Sequence, residues 1–164
     1  MSDPWTTDWS PEQEQVMHRL RGWAVGYAEL NRNLADHLAL PGSDADALGH
    51  ITWAAEAGTP LSPARLSRRI GMTSGATSIL LNRLASAGYV ERVRHDTDRR
   101  RVVLYPTPRA RERHREFLAL AGQEIADTLL GACHDELRTV ITFLERMTAA
   151  AGAGNRRLDA RRGR

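Results

Sequence analysis

Apolar residues recur at spacings of three and four through much of this chain, which is the period of a helix with one buried face. Ser10, Pro11 and Gln13 predict where the first helix begins, because they form an N-cap, a first-turn proline and a capping-box partner. The Pro-Gly pair at 41–42 predicts its end. One long helix is therefore expected over residues 10–40, with an apolar stripe of Val16, Leu20, Trp23, Tyr27, Leu30, Leu34 and Leu38.

Three shorter helices are expected next, because each apolar stripe begins at a Ser or Thr that can act as an N-cap and stops at a glycine. They are expected from Ser43 to Gly58, from Ser62 to Gly71 and from Thr73 to Gly88. Only a few residues separate the last two helices. A short helix, a tight turn with glycine and a second helix are the pattern of a helix-turn-helix.

After Gly88 the apolar period changes from 3.6 to 2, which is typical of strands. The segments YVERVR (89–94) and RVVLY (101–105) are rich in valine and tyrosine, and turn-forming residues lie between them, so they predict a hairpin. A hairpin directly after a helix-turn-helix indicates a winged helix. Two further helices are expected, from Thr107 and from about Asp135. The expected fold is mainly α with a small β-hairpin wing.

Charge is spread unevenly along the chain, although the formal net charge is only +3. Residues 65–115 carry thirteen arginines against four acidic residues, whereas residues 1–64 carry three arginines against nine acidic residues. A basic middle third indicates a surface that binds a polyanion. Charge runs more often form a solvated face, and composition alone leaves both interpretations open.

The predicted second helix of the helix-turn-helix has two different sides. Ala76, Leu80, Leu84 and Ala87 fall on one side and are expected to be core. On the other side lie short polar or small residues that suit close approach to base edges, with asparagine able to pair with adenine. This outward set is Ser74, Gly75, Ser78, Ile79 and Asn82, with Thr77 and Arg83 at its edges.

The expected hairpin tip, HDTDRR, places Asp98 two residues before Arg100. A carboxylate there can hold the guanidinium in one direction by a charge-assisted hydrogen bond. An outward arginine held in this way suits a narrow minor groove. Neighbouring arginines would contact phosphates, which position a protein on DNA without specifying sequence. The complete set expected at double-stranded DNA is Arg65, Thr73, Ser74, Thr77, Ser78, Asn82, Arg83, Arg94, Asp98, Arg99 and Arg100.

The segment from Leu66 to Thr107 resembles the MarR family of bacterial transcriptional regulators. The family pattern is met by NRLASAGYV and by RHDTDRRRVVLYPT. Its most specific element is the wing tip, which is DxxDRR in the family and reads HDTDRR here. The chain departs from the pattern at Asn82, where an acidic residue is usual, and at PTPRA, where LT..G is usual. These departures make the family's DNA-sequence preference less transferable.

The resemblance implies a homodimeric, ligand-responsive repressor that binds a pseudo-palindromic operator. Its winged helix-turn-helix DNA-binding domain would span 43–106, and its helical dimerisation region would comprise 10–40 and 107–150. Residues 151–164 lack periodicity and are expected to form a disordered basic tail. In the family, effectors bind in a crevice lined partly by the first two helices. A small aromatic effector would thus meet Trp23, Tyr27 and Trp53, which core or dimer packing would also explain.

Other classes of function lack support in the sequence. No phosphate loop, HExxH motif or catalytic triad is present, so we expect neither an enzyme nor a cofactor. No histidine pair has a ligand spacing, and we expect no metal. The single cysteine, Cys133, excludes an internal disulfide and is expected to be a small buried residue.

The expected location is the cytoplasm, without a membrane partner, because no apolar run is long enough to span a bilayer and the N-terminus does not resemble a secretory signal. An architectural DNA-binding protein without sequence preference remains the alternative function.

Overall fold

The computed structural model describes residues 8–94 and 102–162. Within those ranges the chain forms helices and one antiparallel hairpin, which confirms the expected fold class. The elements are α1 (Pro11–Leu38), α2 (Gly42–Glu56), α3 (Pro63–Ile70), α4 (Ser74–Ser86), β1 (Val90–Arg94), β2 (Val102–Pro106), α5 (Pro108–Ala121), α6 (Gln123–Gly131) and α7 (His134–Arg162). These elements fall into two compact units, of which the first ends at Ala121 and the second begins at Gly122.

The expected start of α1 is confirmed at the level of individual hydrogen bonds. The backbone N–H of Ser10 donates to Oε1 of Gln13 at 2.9 Å, and the N–H of Gln13 donates to Oγ of Ser10 at 3.4 Å. The expected cap of α2 is wrong, because Pro41 and not Ser43 is its N-cap. The carbonyl of Pro41 already accepts from the N–H of Asp44 at 2.9 Å, so the helix begins without a side-chain cap.

The C-terminal region differs from the expectation at two points. The helix expected from Thr107 onward is interrupted at Gly122, where glycine lowers helix stability, and continues as the separate helix α6. The tail expected to be disordered is helical as far as Arg162. Extending a helix that already exists needs no new nucleation, and the alanines and arginines of this tail favour the helical state, which offsets its glycines.

The core of the first unit lies between α2, α3, α4 and the hairpin, with the end of α1 and the start of α5 packed against it. The N–H of Leu104 in β2 donates to the carbonyl of Leu61 at 2.8 Å, so the hairpin is joined to the segment before α3. The largest apolar side chains that are completely buried are Leu48, Ile51, Leu66, Leu80, Leu81, Leu84 and Leu104.

The second unit consists of α6 and α7, and much of its apolar surface is exposed. On α7, Val140, Ile141 and Leu144 are all exposed. Leu129 and Leu130 of α6 are exposed as well. Among the residues that the structure describes, no helix is both long enough and apolar enough to cross a membrane.

Tyr89, at the start of the hairpin, connects it to the end of α1. Its buried hydroxyl donates to the carbonyl of Leu38 at 3.1 Å. The guanidinium of Arg109 lies 5.1 Å from the centre of the Tyr89 ring and also donates to the carbonyl of Ala87 at 3.1 Å. The wing is therefore positioned by α1 and α5 as well as by α4.

We predict that Tyr89→Phe lowers the free energy of unfolding by about 1 kcal/mol, because it leaves the buried carbonyl of Leu38 without this donor. Tyr105→Phe is the matched control, since the described residues show no side-chain hydrogen bond for Tyr105. Chemical denaturation monitored by circular dichroism measures both variants. Equal stability of the two variants would contradict the role assigned to the Tyr89 hydroxyl.

Candidate nucleic-acid interface

The turn between α3 and α4 is held by short-range hydrogen bonds. Gly71 ends α3 with a φ of 67°, in the left-handed region that glycine adopts at low cost. The hydroxyl of Ser67 donates to the carbonyl of Met72 at 2.6 Å, and the N–H of Met72 donates to the carbonyl of Ser67 at 3.1 Å. Thr73 then caps α4 by accepting the N–H of Ala76 at 3.3 Å. The expected helix-turn-helix is confirmed, with α4 as its second helix.

The buried side of α4 is rotated by about one residue relative to the side expected from the sequence. Leu80 and Leu84 are buried as expected, but Leu81 is also buried while Ala76 is exposed. Burying leucine removes more apolar area from water than burying alanine, which explains this rotation of the helix. Thr77, expected at the edge of the outward side, is only 1% exposed, and its hydroxyl donates to the carbonyl of Thr73 at 2.9 Å. Thr77 is therefore a core residue.

The outward side of α4 carries small and polar residues, as the sequence predicts. Ser74, Gly75, Ser78 and Asn82 are exposed, and Ile79 is 60% exposed. The hydroxyl of Ser78 donates to the carbonyl of Ser74 at 2.9 Å, which keeps this side chain close to the helix. This surface therefore carries short side chains, and only the apolar side chain of Ile79 projects from it. On α3, Arg65 is exposed in the first turn.

Arg83, expected at the DNA surface, is engaged in an ion pair with α2. Its Nε and Nη2 atoms donate to the two carboxylate oxygens of Asp44 at 2.8 and 2.6 Å. Asp44 is completely buried, whereas 51% of the Arg83 side chain is exposed. The hydrogen bond to Asp44 raises the pKa of Arg83 above its already high usual value. Arg83 therefore compensates a buried charge and connects α4 to α2.

The wing contributes Arg92 and Arg94 on β1, both of them exposed. Arg92 donates from Nη2 to Oδ1 of Asn82 at 2.8 Å, so the hairpin contacts the outward side of α4. Sequence reasoning missed this contact, because it gave Asn82 and the wing separate roles. The predicted wing-tip residues Asp98, Arg99 and Arg100 lie outside the described residues, and their roles stay predictions.

Two of the three aromatic residues expected at an effector site line one cleft of about 90 Å³. Trp23 is not among the lining residues, but its ring stacks on that of Tyr27 with centroids 5.8 Å apart. Burial lowers the pKa of His114, which also lines the cleft, and its Nδ1 atom has no hydrogen-bond partner among the described residues. The lining residues are Tyr27, Asn31, Leu34, Ala45, Asp46, Gly49, His50, Trp53 and His114.

Cysteine and the residue types that bind metal ions could support chemistry other than DNA binding, and the structure shows where they lie. Cys133 is exposed, so the expectation that it is buried is wrong. It lies between α6 and α7, outside both helices. Across residues 8–94 and 102–162, no cluster of three or more histidine, cysteine, aspartate or glutamate side chains is arranged to hold a metal ion.

The elements described above define a winged helix-turn-helix protein. The model of the MarR family matches residues 40–101, which include α2, α3, α4 and β1. This part of the chain is therefore similar to the MarR family, and the resemblance predicted from the sequence is confirmed.

A curated relative is named as the uncharacterized HTH-type transcriptional regulator YcgE of Bacillus subtilis (strain 168). It is 29% identical over 89 residues, which are 54% of this chain and 57% of that protein, so this chain spans little more than half of that relative.

Solved structures share the fold over most of the chain. The transcriptional regulator BldR from Sulfolobus solfataricus has a TM-score of 0.54 and 24% identity, over 82% of this chain and 96% of that one. A mutant of MepR from a multidrug-resistant clinical isolate of S. aureus has a TM-score of 0.62 and 13% identity, over 88% of this chain and 99% of that one. At these identities the likeness establishes the architecture.

We predict that Arg83→Ala lowers the thermal unfolding midpoint markedly, because it leaves the carboxylate of Asp44 buried without its cation. Arg68→Ala, which removes an exposed arginine from α3, is the matched control and should change the midpoint little. Differential scanning calorimetry of both variants measures the effect. The assignment of Arg83 to a stabilising role would be refuted by a midpoint as high as that of the control.

Proposed function

We propose that this protein is a DNA-binding transcriptional regulator of the MarR type that recognises specific base sequences. The outward side of α4 carries this proposal, because small polar side chains let a helix approach base edges closely. Its position as the second helix of a helix-turn-helix is the position that enters the major groove in such proteins. The thirteen arginines within residues 65–115 supply the positive field that attracts DNA.

The protein is proposed to bind a pseudo-palindromic operator as a homodimer. Exposed apolar residues support this in each unit: Val25 on α1, and Val140, Ile141 and Leu144 on α7. A second copy of the chain that covers this apolar surface would remove it from water, which would stabilise the dimer. A two-fold symmetric dimer presents two recognition helices to half-sites about 10 bp apart, centre to centre.

The protein is further proposed to be a repressor that responds to a ligand. The cleft at Tyr27 and Trp53 is lined by aromatic rings and by His114, whose buried Nδ1 atom has no hydrogen-bond partner among the described residues. This lining suits a small aromatic effector with a hydrogen-bonding group. Trp53 is 65% exposed, so a ligand could cover its ring. Such an effector would release DNA only by binding one arrangement of the dimer more tightly than the other.

Gly75→Ala is predicted to separate stability from DNA binding. A Cβ atom added at Gly75 meets no atom within 4 Å, and the residue is helical, so alanine should raise the free energy of unfolding by about 0.5–1 kcal/mol. The added methyl group would project from the outward side of α4 into the groove and should weaken operator binding by on the order of tenfold. Fluorescence anisotropy with an operator selected from random duplexes measures the affinity.

Gly22→Ala is the control for Gly75→Ala. Gly22 is also helical, and a Cβ atom added there meets no atom within 4 Å. It should raise the stability at least as much as Gly75→Ala, and operator affinity should be unchanged once size-exclusion chromatography has confirmed the oligomeric state. Wild-type operator affinity in Gly75→Ala would refute α4 as the base-reading element.

Arg100→Ala is predicted to weaken specific binding sharply while the fold and the dimer stay intact. The reason is the proposed contact of Arg100, directed by Asp98, with the minor groove. Asp98→Asn should produce a smaller loss of the same kind, because it removes the charge that directs the guanidinium. The affinity of each variant for the operator is measured beside its size-exclusion profile. Unchanged operator affinity in Arg100→Ala would contradict the role given to the wing tip.

A further inference from the structure

The contact between Arg92 and Asn82 joins the wing to the proposed base-reading side of α4. Nη2 of Arg92 donates to Oδ1 of Asn82 at 2.8 Å, and both residues are exposed. Asn82 lies two helical turns after Ser74 and one turn after Ser78, on the same side of the helix. The contact therefore lies within the surface that would meet DNA and not beneath it.

The chemistry of the two side chains determines which way the Asn82 amide is turned. A guanidinium group has five N–H donors and no acceptor, so only the amide oxygen can face Arg92. The amide nitrogen of Asn82 must then point away from Arg92. A free asparagine can turn its amide over and present either a donor or an acceptor to a base. The hydrogen bond from Arg92 removes that choice.

We propose that Arg92 is a positioning residue for base recognition, which holds Asn82 as a hydrogen-bond donor toward the major groove. This inference rests on the proposed function and concerns the same surface. The base facing Asn82 would then present an acceptor, as guanine does with O6 and N7, adenine with N7 and thymine with O4. Cytosine presents its N4 donor there and would be disfavoured. The bidentate pair with adenine expected from the sequence would have to share the amide oxygen, because Arg92 already engages one of its two acceptor positions.

The test is a selection of operators from random duplexes with the full-length protein and three variants. Wild type should enrich an acceptor-bearing base over cytosine at one position in each half-site, by on the order of tenfold. Arg92→Ala should lose this preference at that one position while the rest of the operator is unchanged. Arg92→Lys, which keeps a donor near the amide oxygen, should restore much of the preference.

Arg94→Ala is the matched control for the loss of one positive charge. Arg94 is exposed on the same strand and faces the same side of the hairpin as Arg92, two residues away. It should weaken binding to all duplexes alike and leave the base preference intact. Thermal denaturation confirms that both variants fold.

Asn82→Asp reverses the hydrogen-bonding character of the side chain while keeping a partner for Arg92. A carboxylate only accepts, so this variant should shift the enriched base toward cytosine. Suppose that wild type has a defined operator and that the Arg92→Ala and Asn82→Asp variants enrich the same bases as wild type. This result would overturn the positioning role and leave the proposed function standing. No enriched sequence for wild type would overturn the proposed function and this inference with it.

Discussion

The burial of one side of α4 determines what its other side can present. Leu80, Leu81 and Leu84 are almost completely covered by the helices and the hairpin around them, which fixes the rotation of the helix about its axis. Each buried leucine stabilises this rotation by about 2 kcal/mol. A turn of the helix by one residue would expose leucine and bury serine or asparagine without partners. The outward row of small and polar side chains is therefore a consequence of the core.

Two arginines show how one residue type serves different purposes in adjacent places. Arg83 pairs with the fully buried carboxylate of Asp44, where its loss would leave a charge without compensation. Arg92 contacts the exposed amide of Asn82, where the energy at stake is small and the geometry matters more. The first arginine supports the position of α4 within the core. The second relates the wing to the side of α4 that faces outward.

Much of the architecture could be predicted from local signals in the sequence. The capping box at Ser10 and Gln13, the glycine at 71 and the change of period after Gly88 correspond to the helix start, turn and hairpin that the structure contains. Such signals are local, because hydrogen bonds within a few residues produce them. The helical state of residues 151–162 could not be predicted in this way, since the segment lacks apolar periodicity and its helix continues from the preceding residues.

The candidate site could be predicted less completely, because its details depend on long-range partners. The pairing of Arg83 with Asp44 joins residues 39 positions apart, and no spacing in the sequence indicates it. Helical period alone places Thr77 at the edge of the outward side, yet the size of Leu81 decides which residues turn inward. The contact between Arg92 and Asn82 required the hairpin to be folded against α4. The set of exposed polar residues was accessible from the pattern, whereas the direction of each side chain was not.

Sequence-specific DNA binding is the central claim, and a competition titration tests it most directly. The wild-type protein is titrated with the duplex that it enriches from a random pool and with a scrambled duplex of the same composition, at about 50 and about 200 mM salt. We expect an enriched sequence with two-fold symmetry and a preference over the scrambled duplex that persists at the higher salt. Failure to enrich any sequence, or equal binding to both duplexes that is lost together as salt rises, would contradict sequence-specific binding and indicate an architectural DNA-binding protein.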